Sequence, residues 1–326
     1  MQRRSQVLSG LMGLCVGDAL GGPVVYQTRE QLGKNPVTKM LGYGTYNQPP
    51  GTWSDDTSLT LCLADALCEG FSLEGIARSF CLWFRENHWT PHGKVFDIGS
   101  TTRRAIWLLQ QGIDPAHAGS ASERSNGNGS LMRSLPLAFY YQVLPLQKLI
   151  ERVYQVSRIT HCHLRSQIAC GIYISIVVCL LQGYSAKVAY LEGIRNIEKI
   201  HAHLEFDLEI EHFARVMSGK VDELPKDSIC SSGYVVHTLE ASLWCFLNSL
   251  SYREAVLQAV NLGQDTNTTA AVTGSLAGIY YGLENIPVQW QEQITRRWDI
   301  INLSDRLEMA LARDEESLVD ILPALE

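Results

Sequence analysis

Hydrophobic residues recur along almost the whole chain at the three- and four-residue spacing of helices, and the apolar–polar alternation of a strand is almost absent. Glycine, proline or asparagine stands at most ends of these periodic segments, where helices are expected to stop. The pattern therefore predicts an all-α fold. The predicted helices cover about residues 5–20, 56–69, 73–88, 100–112, 131–142, 146–157, 163–183, 186–199, 207–218, 233–248, 252–261, 268–282 and 288–313.

The helices are expected to form a single multi-helix domain over residues 1–326, because no low-complexity linker or shift in composition divides the chain. A weaker alternative places a boundary near residues 201–231. Residues 270–278 are rich in alanine and glycine at helical spacing. Each glycine costs about 1 kcal/mol relative to alanine in a helix. This segment is therefore predicted to be a central helix whose backbone another helix approaches closely.

The charge of the chain argues against nucleic acid as its partner. The formal net charge is -7, and no run of lysine or arginine exceeds two residues, so a broad basic surface is missing. A phosphorylated small molecule remains open as a ligand, because helix N-termini and a metal can hold phosphate without a basic surface.

The nine cysteines are scattered without a Cys-x-x-Cys pair, which favours reduced, buried thiols over disulfides or a thiolate metal site. The apolar stretch near the N-terminus is short and is followed by Asp18, and no apolar run approaches the about 20 residues of a membrane span. We therefore predict a cytoplasmic protein without membrane contact, and we expect a monomer by default.

Two acidic clusters each precede an apolar helix. The first is Ser54-Asp55-Asp56-Thr57, and the second is Asp265-Thr266-Asn267-Thr268-Thr269. Such residues cap helix N-termini, which would explain either cluster alone. Together they supply carboxylate, amide and hydroxyl oxygens, the ligands of a hard cation such as Mg²⁺, Mn²⁺ or Ca²⁺. The two helices are expected to point these ends at one cavity.

Three further segments are polar, rich in glycine and flanked by apolar helices: residues 17–23, 96–102 and 126–133. Each is predicted to expose backbone N–H groups near a helix end, where phosphate or carboxylate binds well. A simple turn is the alternative for any one of them.

These motifs together resemble the ADP-ribosylglycohydrolase family, which includes the dinitrogenase-reductase-activating glycohydrolase. The matching segments follow the family order from residue 8 to about 283 and are residues 17–21, 51–57, 96–99, 126–133, 160–161, 232–236 and 263–271. The resemblance implies an all-α, orthogonally packed helical fold. It also implies a two-metal centre, usually of Mg²⁺ or Mn²⁺, in a cleft that holds ADP-ribose.

The resemblance also implies roles for individual residues. The metal ligands would be Ser54, Asp55, Asp56, Asp265, Asn267 and Thr268. The catalytic residues would be Asp55, Asp56 and Asp265 as carboxylates that hold the metals, together with Asp97 as substrate contact and acid–base group. The substrate-binding residues would be Asp18, Gly99, Ser100, Gly129, Ser130, Met132 and His161, with a structural helix cap as the alternative for Asp18.

Three residues depart from the family pattern. Asn267 stands where the family has a second aspartate, which removes one negative charge beside the metals, so one of the two metals is expected to be weakened or lost. Val25 stands where relatives commonly have glutamate and cannot serve in acid–base chemistry. His237 stands where close bacterial relatives tend to have aspartate. The implied function is metal-dependent removal of ADP-ribose from a modified protein side chain or a related conjugate. The alternative is an impaired member that binds ADP-ribose or a protein.

Overall fold

Two helices from opposite ends of the chain, α1 (Gln2–Gly21) and Thr266–Tyr281, pack along each other in the middle of the molecule. The structure is a computed structural model that describes residues 2–201 and 207–319. The remaining α-helices are α2 (Arg29–Lys34), α3 (Asp55–Leu67), α4 (Leu73–Glu86), α5 (Ser100–Gln110), α6 (Pro115–Ala118), α7 (Leu135–Ala138), α8 (Leu146–Arg158), α9 (Leu164–Leu181), α10 (Ala186–His201), α11 (Asp207–Ile210), α12 (Ala214–Met217), α13 (Val235–Leu247), α14 (Tyr252–Val260), α16 (Val288–Gln293) and α17 (Arg297–Val319), and Thr266–Tyr281 is α15.

The prediction of an all-α fold is confirmed. Within residues 2–201 and 207–319 the backbone forms no strand, and two isolated bridges pair Ser120 with His161 and Gly127 with Tyr234. A continuous hydrophobic core extends from Val7 in α1 to Leu311 in α17. The alternative boundary near 201–231 falls in part on residues 202–206, which lie outside the described residues.

Helices α1 and α15 touch through glycine. A Cβ atom added to Gly17 would lie 2.0 Å from the carbonyl oxygen of Ala270, and one added to Gly13 would lie 2.3 Å from that of Gly274. The small residues therefore let the two backbones meet directly, as the composition of α15 predicted. Helices α14, α13 and α9 pack around α15 and bury it further.

The predicted helix at 288–313 is wrong in one respect, because it is two helices separated by residues 294–296. Arg296 has a φ of 55°, and the Thr295 N–H donates to the Gly51 carbonyl. A Cβ on Gly51 would lie 1.8 Å from the Gln293 carbonyl oxygen. The chain breaks here because the loop that leads to α3 docks against it, a long-range contact that local periodicity does not reveal.

Two other predicted helices are shorter than expected. The segment 131–142 has turns up to Ser134, and α7 begins beside Pro136, which has no N–H to continue a helix backwards. The segment 207–218 is divided into α11 and α12 by a 3-10 turn.

Two helices are long and apolar enough to cross a membrane by length and composition, namely 6–24 and Leu164–Leu181. Asp18 lies inside the first of these helices, and the second was not recognised from the sequence as an apolar stretch of this length. Their windows are 83% and 94% buried inside the fold. Both helices thus serve as core helices here.

Gly17→Ala is expected to destabilise the fold by about 1–3 kcal/mol or more, because the added methyl overlaps a carbonyl of α15 that no rotamer change can move. Urea denaturation measures this change. Gly33→Ala is the matched control, since a Cβ at Gly33 in α2 meets nothing within 4 Å. Equal midpoints for the two variants would contradict the close backbone contact.

Candidate active site

The first acidic cluster is fixed by Asp18 near the end of α1. Its carboxylate accepts hydrogen bonds from the Ser54 N–H at 2.9 Å, the Ser54 hydroxyl at 2.8 Å, the Thr57 N–H at 3.1 Å and the Thr57 hydroxyl at 2.7 Å. Asp18 is fully buried, and burial raises its pKa although these hydrogen bonds act in the opposite direction. Asp18 therefore lies behind the cleft and holds the first turn of α3 through Ser54 and Thr57. It does not line the cavity, although the resemblance implied substrate contact.

The second cluster begins α15 and reaches the first one directly. The Asn267 side-chain amide donates to Asp56 Oδ2 at 2.9 Å and to Ser54 Oγ at 3.1 Å. Asp265 accepts a 2.7 Å hydrogen bond from the Asn128 amide. The structure thus brings together two acidic clusters that lie about 210 residues apart in the sequence, which the sequence could only suggest.

A cavity of about 500 Å³ opens over the two clusters. Most of the predicted site residues line it: Asp55, Asp97, Gly99, Ser100, Gly129, Met132, His161, Asp265, Asn267 and Thr268. The residues that the sequence analysis assigned no role are Tyr26, Thr101, Thr102, Gly127, Asn128, Ser232, Gly233 and Gln264. All of these except Tyr26 lie within the polar or family-like segments of the sequence, and that position was the available signal.

Ser54, Asp56 and Ser130 lie beneath the cavity wall and do not line it. Ser130 Oγ accepts a 2.9 Å hydrogen bond from Ser157, so it supports the loop and does not face a ligand. Arg133 is fully buried and donates to the Gly129 carbonyl at 2.7 Å. This glycine-rich loop is therefore held in place from below.

His161 is buried and uncharged. Burial and the nearby Arg133 guanidinium lower its pKa to about 3. Its Nδ1 lies 2.7 Å from the Thr160 hydroxyl, which also accepts from Arg133 at 2.7 Å. This network is satisfied when the hydroxyl donates to Nδ1, which leaves the proton on Nε2. His161 thus offers a neutral N–H donor beside Gly129.

Asp97 lines the same cavity, and burial raises its pKa to about 6, while a hydrogen bond from Tyr46 acts to lower it. The Tyr46 hydroxyl lies 3.3 Å from that of Tyr26. Tyr26 is 70% exposed at the mouth of the cavity and has a φ of 69°. Its N–H donates to the Gln264 carbonyl at 2.7 Å, which ties the mouth to the start of α15.

The carboxylates are crowded. Burial is the largest cause that raises the pKa of Asp55 and of Asp56 well above the ordinary value, and the neighbouring aspartates add to it. Among the described residues no lysine or arginine lines the cavity, and His161 is neutral. Protons or a bound cation must therefore offset these carboxylates.

The donor set fits a hard cation. Asp56 Oδ1 and Asn267 Oδ1 are buried and have no hydrogen-bond partner. Among the described residues no three His, Cys, Asp or Glu side chains could hold a metal ion by themselves, so amide or hydroxyl oxygens must complete its shell. Carboxylate and amide oxygens suit Mg²⁺ or Mn²⁺.

Two of the departing residues are also placed. Val25 is buried and lines the cavity, so an aliphatic side chain stands where a glutamate was expected. His237 does not line the cavity, but its Nδ1 lies 2.8 Å from the Ser232 hydroxyl, which does. His237 therefore contacts a residue of the cavity wall, Ser232, without reaching the cavity itself.

Comparison with known proteins agrees with this architecture. The family model described as ADP-ribosylglycohydrolase matches residues 1–317. The ADP-ribosylarginine hydrolase Tri1 of Serratia proteamaculans is 31% identical over 300 residues, which cover 91% of this chain and 77% of that protein. The ADP-ribosyl-[dinitrogen reductase] glycohydrolase of Rhodospirillum rubrum is 30% identical and covers 98% of this chain and 96% of its own length.

A solved structure described as an ADP-ribosylglycohydrolase-related protein complex superposes with a TM-score of 0.79 at 33% identity, covering 96% of this chain and 99% of that chain. Sequence and structure thus agree along nearly the whole length. The protein belongs to the ADP-ribosylglycohydrolase family and is a hydrolase.

Proposed function

We propose that this protein removes ADP-ribose from arginine side chains of modified proteins in a reaction that depends on Mg²⁺ or Mn²⁺. The observation that carries the proposal is the charge of the cavity. Asp55, Asp97 and Asp265 line it, and no cationic side chain of residues 2–201 or 207–319 does. Such a surface suits a leaving group that is itself a cation, as a guanidinium is. Two relatives named as ADP-ribosylarginine hydrolases support this linkage.

The diphosphate of ADP-ribose has an uncharged binding surface available. Helix α5 begins at Ser100, and no side chain caps its N-terminus. Its first N–H groups, at the edge of the cavity, are therefore available to a phosphate. The Gly127–Gly129 loop and the His161 Nε2–H add further donors. Neutral donors can bind two phosphates without attracting nucleic acid in general, which agrees with the net charge of -7.

Hydrolysis at the ribose carbon passes through a transition state with positive charge on the sugar. A bound cation supplies charge that orients the ribose hydroxyls and lowers the pKa of water. Asp55 and Asp265 hold that cation in this proposal, and Asp56 and Thr268 complete the site. Asp97 is the acid–base group in this proposal, because it lines the cavity, belongs to neither cluster in the sequence, and has a pKa that burial raises to about 6.

A second candidate is a member that binds ADP-ribose without cleaving it. Val25 favours it, since the cavity lacks the acid expected there. In that case the cleft, the glycine-rich loop and the α5 N-terminus still bind the ligand. Under both candidates we propose a monomer in the cytoplasm that does not bind nucleic acid.

Release of ADP-ribose from an arginine-ADP-ribosylated protein is expected with Mn²⁺ and is expected to stop in EDTA. Asp97→Asn should lower kcat by about 10²–10⁴-fold, the usual contribution of general acid–base catalysis. Asp227→Asn makes the same chemical change at an exposed position and should leave kcat unchanged. Full activity of Asp97→Asn would remove the assigned role.

Turnover by Val25→Glu but not by the native chain, with ADP-ribose bound equally by both, would establish the binder instead. Equal or greater turnover by the native chain shows that Val25 is tolerated. Binding is measured by calorimetry with free ADP-ribose.

In EDTA, Asp55→Asn is expected to gain stability relative to the native chain as the pH rises from about 5 to about 8. The folded Asp55 pKa is raised, so stability present below the ordinary pKa is lost as the pH passes through the folded value. Asparagine does not titrate, and the buried histidines are common to both chains and cancel in the difference.

Thermal unfolding across this range measures the difference. Mn²⁺ should reverse it, stabilising the native chain more than the variant and most at the highest pH, because the cation binds deprotonated carboxylates. A difference in Tm that stays constant with pH would contradict the raised pKa of Asp55.

A further inference from the structure

We propose that this chain holds one divalent cation where the family resemblance implies two, and that the Asn267 side-chain amide replaces the second. The inference deepens the proposed function, since it rests on the metal centre proposed there. It is carried by the contacts of Asn267, Asp56 and Ser54, which are at most 3% exposed.

The orientation of the Asn267 amide is set by its neighbours. The Nδ2 group lies 2.9 Å from Asp56 Oδ2 and 3.1 Å from Ser54 Oγ. The opposite orientation would place the amide oxygen against a carboxylate oxygen, which repels it. The N–H₂ group, with its partial positive charge, therefore occupies the space between the two acidic clusters. An aspartate at this position would present a second carboxylate to Asp56 and would need a cation between them.

The Ser54 hydroxyl is already fully used. It lies 2.8 Å from Asp18 Oδ1 and 2.8 Å from Asp56 Oδ2, to one of which it donates its single proton. It accepts from the Asp56 N–H at 3.3 Å and from the Asn267 amide at 3.1 Å. A hydroxyl has two lone pairs, and both are engaged. Ser54 therefore has none left for a cation and leaves the implied ligand set.

The oxygen atoms that remain without Ser54 are enough to bind one cation. Asp56 Oδ1 and Asn267 Oδ1 are buried without a partner, although the opposite atoms of the same two side chains pair with each other. Asp55, Asp265 and Thr268 line the cavity above them. Asp55, Asp56 and Asp265 supply three carboxylates, and Asn267 and Thr268 supply neutral oxygens, so the set has one acid fewer than the two-metal pattern that the resemblance implies.

The test is the number of Mn²⁺ ions bound by the full chain, measured by calorimetry and by the electron paramagnetic resonance signal of free Mn²⁺. The native chain is expected to bind one ion and Asn267→Asp two. Asp56→Asn should bind at least tenfold more weakly than the native chain. Asn302→Asp adds the same charge at an exposed position of α17 and should still bind one. Two ions or none per native chain would overturn the proposal, as would one ion in Asn267→Asp.

A second measurement needs no metal. In EDTA, Asn267→Asp should melt below the native chain and below Asn302→Asp, because a carboxylate then faces Asp56 where an amide donated to it. An unchanged or higher Tm would overturn the replacement. If Asn267→Asp does not fold, the Mn²⁺ count of the native chain decides alone. A native chain that binds one ion but releases no ADP-ribose would leave this inference standing and remove the proposed function.

Discussion

The contact between the backbones of α1 and α15 is the constraint on which the site depends. Glycine at 13, 17 and 21 on α1 faces the backbone of α15 with no side chain between them, and a Cβ at Gly21 would lie 2.4 Å from the Thr266 carbonyl oxygen. The last turn of α1 therefore touches the first turn of α15. One turn earlier Asp18 holds the N-terminus of α3. A single helix end thus positions both acidic clusters relative to each other.

This arrangement buries several carboxylates close together, and they differ in how many hydrogen bonds stabilise them. Around Asp18 four hydrogen bonds stabilise a buried carboxylate inside the protein. Asp56 Oδ2 accepts from the Asn267 amide and lies 2.8 Å from the Ser54 hydroxyl, and its Oδ1 has no partner. Asp55 has neighbouring aspartates and, in the part of the chain that the structure describes, no cationic side chain beside it in the cavity. The gradient from satisfied to unsatisfied carboxylates runs from the core toward the cavity, which is where a cation can enter.

The sequence predicted the parts of this site that depend on local chemistry. Helix periodicity revealed α1 and α15, and the small residues of 270–278 correctly indicated close backbone packing. The pairing of Asp55 with Asp265 followed from their shared position ahead of helices, and the structure places both on one cavity. The family resemblance supplied the individual roles, and these still await experiment.

The parts that the sequence did not reveal depend on distant contacts. Asp18 and Ser130 belong to motifs, but only packing decides that each faces the interior. Tyr26 and Gln264 adopt positive φ, which glycine would have signalled and these residues do not. The break before α17 comes from docking of the loop at Gly51. A motif indicates that a residue lies near the site, but only the fold shows whether its side chain faces the cavity or the interior.

Positions along the glycine contact tolerate fewer substitutions in evolution than positions at the mouth of the cavity. A backbone-to-backbone contact has no rotamers to readjust, so substitutions along it alter the site as a whole. Tyr26 at the mouth, by contrast, is mostly exposed and its ring can be exchanged without moving either helix. Changes at the mouth can therefore alter what the cavity accepts, while the inherited frame keeps the two acidic clusters in register.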